Sequence, residues 1–256
     1  MIKVISDISL STFPGGEVNV NIFNSVTIEA KISSSNHVMQ LLLTVNALRE
    51  VEEGIKLHLL LKYFPYARQD RVCSPGEAFS AKVFADLINS LNFTSVEVWD
   101  IHNEGTLGLI NNVVHISQRE LTIGFFNKSR YGYIVAPDKG AVPKLSWVEK
   151  GCLIVAGKER NLATGEIIRT VIESGEEKVQ GADLLIIDDI CDGGRTFIEL
   201  AKVLYSKGAA NVDLYVTHGI FSKGTECLAE EGIHKIYCAN KVYGATNLSL
   251  LNVTKI

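Results

Sequence analysis

The thirteen residues Leu184-Leu-Ile-Ile-Asp-Asp-Ile-Cys-Asp-Gly-Gly-Arg-Thr196 constrain the fold more than any other part of this chain. Four bulky apolar residues in a row match a central parallel strand buried on both faces. Asp188 and Asp189 follow at the carboxyl end of that strand, where open α/β sheets receive their ligands. Gly193 and Gly194 allow backbone N–H groups to turn toward an anion, and the amphipathic segment that follows presents a helix N-terminus to it. On spacing alone, a capped helix after a solvated turn would also produce an Asp-Asp pair.

The rest of the chain alternates strands and helices. Strands are expected at 18–22, 56–61, 95–100, 112–116, 131–136, 152–156, 183–187, 211–217 and 234–238. Helices are expected at 37–51, 78–91, 140–149 and 195–207. An irregular polar segment is expected from 63 to about 77, and a polar excursion rich in Thr, Gly and Glu from 157 to 180. This order implies an α/β fold of mostly parallel sheets flanked by helices. A chain of 256 residues accommodates two such domains, with an expected boundary giving 1–120 and 121–256. A net charge of −4 speaks against a nucleic-acid-binding surface. No apolar run approaches the roughly 20 residues that span a bilayer, and the first residues lack the basic-then-apolar order of a signal peptide. Five scattered cysteines without a CxxC pair fit reduced thiols, and the expected location is cytoplasmic.

Four further segments carry chemistry. Tyr63-Phe-Pro-Tyr-Ala-Arg-Gln-Asp-Arg71 packs Arg68, Gln69, Asp70 and Arg71 into a loop directly after an apolar strand, and planar guanidinium suits phosphate oxygens. Trp99-Asp-Ile-His102 puts a carboxylate and an imidazole two residues apart on an extended segment, hence on one face. Asp138 stands just beyond the strand ending at Ala136, as a cap or as a ligand. Lys158 and Arg160 follow the apolar run 153–156.

Together these segments resemble the phosphoribosyl diphosphate synthetases (ribose-phosphate diphosphokinases) and, in the Asp188–Thr196 loop, type I phosphoribosyltransferases. The family carries Tyr-Phe-Gly-Tyr-Ala-Arg-Gln-Asp-Arg, then Gly-Glu and Ser-Ala-Lys. This chain departs only at Pro65 within the core segment and continues with Gly76-Glu77 and Ser80-Ala81-Lys82. The resemblance extends from about Phe13 to about Gly219 and implies two phosphoribosyltransferase-like domains, ATP-binding then ribose-phosphate-binding.

The implied reaction is Mg²⁺-dependent diphosphoryl transfer from ATP to the 1-hydroxyl of ribose 5-phosphate. The resemblance assigns ATP to Phe13, Glu17, Arg68, Gln69, Asp70 and His102, with His102 and Asp138 near the metal. Asp188 and Asp189 would hold the ribose hydroxyls, and Asp192, Gly193, Gly194, Arg195 and Thr196 the 5-phosphate. Lys158 and Arg160, matching the family's Lys-x-Arg, would stabilise the transferring group together with His102, and the polar stretch after them would close as a flap. A homodimer or higher homo-oligomer is implied.

Two departures keep alternatives open. Gly15 replaces the aspartate that reads the adenine amino group, which leaves base specificity open. The 5-phosphate loop usually reads Asp-Thr-(Ala/Gly/Cys)-Gly-Thr, whereas here Gly193 removes a hydroxyl and Arg195 adds a cation. ADP-ribose is therefore an alternative acceptor. A catalytically silent regulatory homologue is a further one, although it would be expected to lose Lys158, Arg160 or His102.

Overall fold

The computed structural model describes residues 1–12, 14, 18–126, 131–160, 167–242 and 253–255, with side chains excepted at some strand and helix ends. It divides into two compact units, 1–116 and 117–256.

The first unit contains β1 (Ile2–Thr12), β2 (Val18–Ala30), α1 (Ser35–Val51), β3 (Lys56–Leu60), α2 (Ser80–Ser90), β4 (Ser95–Trp99) and β5 (Val113–Ile116). Its sheet has the order β1-β2-β3-β4-β5, parallel except for the β1–β2 pair. β3 and β4 alternate buried and half-buried residues, so one face carries most of the apolar weight. Against that core α2 lays Ala81, Phe84, Ala85 and Ile88, spaced to form a single helical stripe. α1 begins at Ser34, whose hydroxyl accepts from the His37 N–H.

The second unit contains α3 (Gln118–Phe126), β6 (Tyr133–Ala136), β7 (Leu153–Arg160), β8 (Ile167–Ser174), β9 (Asp183–Cys191), α4 (Arg195–Ser206), β10 (Asn211–Gly219), α5 (Glu226–Glu230), β11 (Ile236–Lys241) and β12 (Val253–Lys255). Sheet order is β12-β11-β10-β9-β6-β7-β8, parallel except for the β7–β8 pair. β9 lies between β10 and β6. Leu184 and Ile186 enter the cluster containing Phe197, Leu200 and Leu204 of α4, while Leu185 and Ile187 enter the opposite one with Tyr131, Leu145 and Tyr215. Alternate side chains of one strand thus supply both cores, which is why the run has no polar alternation. Each such Leu or Ile contributes about 1.5–3 kcal/mol by burial.

The mostly parallel α/β architecture agrees with expectation, and four local features do not. β1 was not anticipated. The expected helix at 140–149 is a set of turns with one short 3₁₀ turn, Pro143–Leu145. Pro143 cannot donate a backbone hydrogen bond, and the Asp138 carboxylate takes the N–H groups of Gly140 (2.8 Å) and Ala141 (3.2 Å). In the polar stretch 157–180, where no strand is expected, residues 157–160 and 167–174 form an antiparallel pair, with Lys158 opposite Thr170. Finally, α3 was missed although Ser117 and Glu120 form a reciprocal capping box: the Ser117 N–H donates to the Glu120 carboxylate (2.7 Å), and the Glu120 N–H to the Ser117 hydroxyl (3.3 Å).

Candidate active site

In the second unit the site grows from the carboxyl end of β9. Asp189 is buried, and its carboxylate meets Lys144 Nζ at 3.1 Å, the two side chains being only 8% and 13% exposed. Lys144 comes from the short 3₁₀ turn after β6, so the two adjacent strands β6 and β9 are bridged above their ends. Asp188, half-buried, accepts the Asp189 N–H at 2.9 Å. Burial of its carboxyl holds the Asp188 pKa well above the usual carboxylate range, reinforced by the charge of Asp189 and, more weakly, of Asp138. The site therefore retains a carboxyl that the apo protein disfavours in its ionised form. An incoming hydroxyl donor or a cation would relieve that cost.

Directly after β9, Asp192 to Thr196 form the turn into α4. Gly194 has φ +77°, and a Cβ there would stand 2.6 Å from Leu228 Cδ2, so both conformation and space demand glycine. Gly193 has no such requirement. Lys158 reaches this loop from β7, with Nζ donating to Thr196 Oγ1 at 3.3 Å. A cation, a hydroxyl and the start of a twelve-residue helix therefore converge on one turn. Arg160 ends β7, and its side chain lies outside the described residues. Arg195 is 89% exposed and lies 3.9 Å from Glu199 on its own helix.

In the first unit, Arg68 and Gln69 are exposed on the segment after β3, while Asp70 is half-buried. The segment is held by its backbone: the Gln69 N–H donates to Tyr66 O at 2.8 Å and the Ala81 N–H to Gln69 O at 3.2 Å. The Asp70 carboxylate accepts from the Asn103 side chain, which ties it to the turn beyond β4. That turn carries buried Asp100 in a left-handed conformation (φ +36°) and exposed His102. Arg68, Gln69, Asp70 and His102 thus gather on two linked loops of one unit. Phe13 and Glu17 lie outside the described residues.

Among the described residues no cluster of three or more His, Cys, Asp or Glu side chains is arranged to cage a metal ion. The available donors are carboxylate oxygens: Asp138 beyond β6, with Asp188 and Asp189 on β9. Such a set suits a hard cation that retains waters and completes its shell with substrate oxygens.

Residues 3–91 match the family described as the N-terminal domain of ribose phosphate pyrophosphokinase, and residues 133–238 match the phosphoribosyl transferase domain. The chain belongs to the ribose-phosphate pyrophosphokinase family. That of Pyrococcus furiosus is 28% identical over 250 residues, covering 93% of this chain and 87% of its own length. That of Agrobacterium fabrum is 32% identical over 198 residues, covering 75% of this chain and 62% of its own. In fold, the chain is similar to the crystal structure of phosphoribosylpyrophosphate synthetase from Mycobacterium smegmatis, with a TM-score of 0.76 at 23% identity over 98% of this chain and 86% of that one. Members of this family are diphosphokinases, and the two matched segments together contain the site residues just described except Asp100, His102 and Asn103.

Sequence reasoning missed Lys144. Its signal was a lone cation between Val142 and Leu145, just after the Asp138 turn, in a segment otherwise apolar enough to be buried. A lysine there needs a carboxylate partner, and the acid pair of the neighbouring strand supplies one. No helix of the described residues is long and apolar enough to cross a membrane.

Proposed function

We propose that this chain transfers the β,γ-diphosphoryl group of ATP to the 1-hydroxyl of ribose 5-phosphate, giving phosphoribosyl diphosphate and AMP. The 1-hydroxyl oxygen forms a bond to the β-phosphorus, the bond from that phosphorus to the α–β bridging oxygen breaks, AMP leaves with that oxygen, and the hydroxyl proton is released. Asp188 and Asp189 accept hydrogen bonds from the 2- and 3-hydroxyls, which orients the pentose with its anomeric carbon outward. The turn from Asp192 to Thr196 binds the 5-phosphate. Lys158 and Arg160 stabilise the charge that spreads over the transferring phosphoryl oxygens. Arg68, Gln69 and Asp70, with Phe13 and Glu17, hold the nucleotide, and His102 orients its phosphates.

In the second unit Asp138 is the residue that would hold magnesium, by oxygen, and in the first unit His102 would do so partly through water. Magnesium would neutralise charge on the diphosphoryl oxygens. Lys144 keeps Asp189 in place through the buried ion pair. Relatives bearing the ribose-phosphate pyrophosphokinase name over most of the chain support this reading. Within the structure, the contact of Lys158 Nζ with Thr196 Oγ1 is the observation that supports it most, a cation lying against the turn that would anchor the acceptor.

One observation favours a second acceptor, ADP-ribose. A Cβ on Gly193 would sit in ordinary contact with the Lys223 stem at 3.6 Å, so the loop could take a side chain there, yet it lacks the hydroxyl that the family carries and gains a cation at Arg195. Retention of Lys158, Arg160 and His102 argues against a catalytically silent homologue. Purified protein incubated with Mg-ATP and either acceptor should release AMP in step with a diphosphorylated product. The acceptor that supports turnover identifies the substrate, and absence of AMP with both contradicts the proposal.

A further inference from the structure

The segment that follows β10, from Ile220 to Leu228, packs against the 192–196 turn at Cys191, Gly193 and Gly194. Cys191 O, one residue before the loop, accepts from the N–H groups of Ile220 (2.8 Å) and Phe221 (3.1 Å). Lys223 lays its stem over Gly193, with Cδ and Cε 3.6 Å from where a Cβ would stand. Leu228 fills the space beside Gly194, as the clash of a Cβ there shows. The turn is also strained: Phe221 is buried at φ +48°, a left-handed conformation that costs a non-glycine residue on the order of 1–3 kcal/mol. Surrounding contacts sustain it, since the Gly224 N–H closes onto Phe221 O at 2.9 Å and a Cβ on Gly219 would overlap the Phe221 ring. At the end of this fixed turn stands an exposed lysine that pairs with no carboxylate among the described residues. Arg195, the cation that the sequence offered for the loop, is directed toward Glu199 instead.

We infer that Lys223 is a specificity-determining residue of the acceptor site, binding the phosphoryl group carried on C5 of the ribose. A long ammonium side chain held along one flank of the loop complements Lys158, which reaches the loop at Thr196 from β7. The strain at Phe221 is then the cost of aiming that turn at the loop. This assignment rests on reading the 192–196 turn as the 5-phosphate cradle, and it adds a residue that lies outside that turn, 27 positions beyond Thr196.

The test compares wild type, Lys223→Met, which keeps the stem over Gly193, and Lys223→Arg, in steady-state AMP release with each acceptor. Lys223→Met should raise the KM of the productive acceptor about 10- to 100-fold, the worth of one charge-assisted hydrogen bond, with kcat and the KM for ATP little changed. Lys223→Arg should restore most of the acceptor KM, a rescue that a purely structural role would not require. Inorganic phosphate should protect wild type against thermal unfolding more than it protects Lys223→Met. A Met variant with wild-type acceptor KM and equal protection by phosphate would overturn the inference. Absence of AMP from wild type would instead defeat the proposed reaction, while the phosphate arm would still decide the role of Lys223.

Discussion

The two units place chemistry on a parallel sheet in opposite ways. In the second unit, β9 is buried along most of its length and ends in acids fixed by an ion pair, a cap and a glycine that tolerates no substitution. In the first, β3 and β4 are buried on alternate residues only, and the candidate nucleotide residues Arg68, Gln69 and His102 are exposed on loops tied mainly through backbone hydrogen bonds and Asp70–Asn103. A site built into strand ends is preorganised and couples function to stability. A site carried on exposed loops is ordered chiefly by its ligand and leaves stability untouched. Under the proposed function the first arrangement would serve small ribose hydroxyls, whose recognition depends on a few well-placed acceptors.

Substitutions can break this contrast. The largest effect is expected for Lys158→Ala, which should lower kcat about 10²- to 10³-fold in an AMP-release assay, the scale of one lost transition-state donor, while a thermal melt barely moves. Next comes Gly194→Ala, which imposes both left-handed strain and overlap with Leu228. A loss of about 2–4 kcal/mol in denaturant unfolding is expected, together with loss of acceptor binding. Gly193→Ala is its control and should cost under about 1 kcal/mol, because the nearest atoms stand at 3.6 Å. The smallest stability effect belongs to the first unit: Asp70→Ala frees the Arg68 loop from Asn103, raising the KM for ATP while changing unfolding free energy by less than about 1 kcal/mol. If Asp70→Ala instead melted the protein as strongly as Gly194→Ala, the distinction between the two units would fail.

What could be read without coordinates follows from the same physics. The segment 184–196 was legible because a strand buried on both faces has no polar alternation, and because two acids and two glycines after it have few structural uses. α2 and α4 were legible from their apolar stripes. β1 was not: at the sheet edge, Val4 is 46% and Ile5 39% exposed, so no clean alternation marks it. β8 was hidden because Ile167-Ile168 and Val171-Ile172 come as adjacent pairs, with no period-two alternation, in a strand at the other sheet edge. The segment 140–149 is not helical because Pro143 and the Asp138 carboxylate hold it in turns. Lys144 showed only as a lone cation in an apolar segment and Lys223 carried no local signal, because each acquires meaning from a partner supplied by a distant strand or loop. The Asp189 carboxylate lies 45 residues from Lys144 in sequence.

The central claim is that the acid pair is held at a cost to the apo fold for the sake of the pentose, and Asp188→Asn measures it most directly. Asparagine keeps the oxygen that accepts the Asp189 N–H but removes the disfavoured buried charge. Because burial and neighbouring acids raise the Asp188 pKa in the folded state, ionisation at neutral pH opposes folding. The native stability thus falls as pH rises from the unfolded-state carboxyl range through the raised folded value. Thermal melts at neutral pH should therefore show Asp188→Asn more stable than wild type by about 0.5–2 kcal/mol, with this gain shrinking toward acid pH and with stabilisation by ribose 5-phosphate lost. A variant less stable than wild type that is still stabilised fully by ribose 5-phosphate would contradict the account.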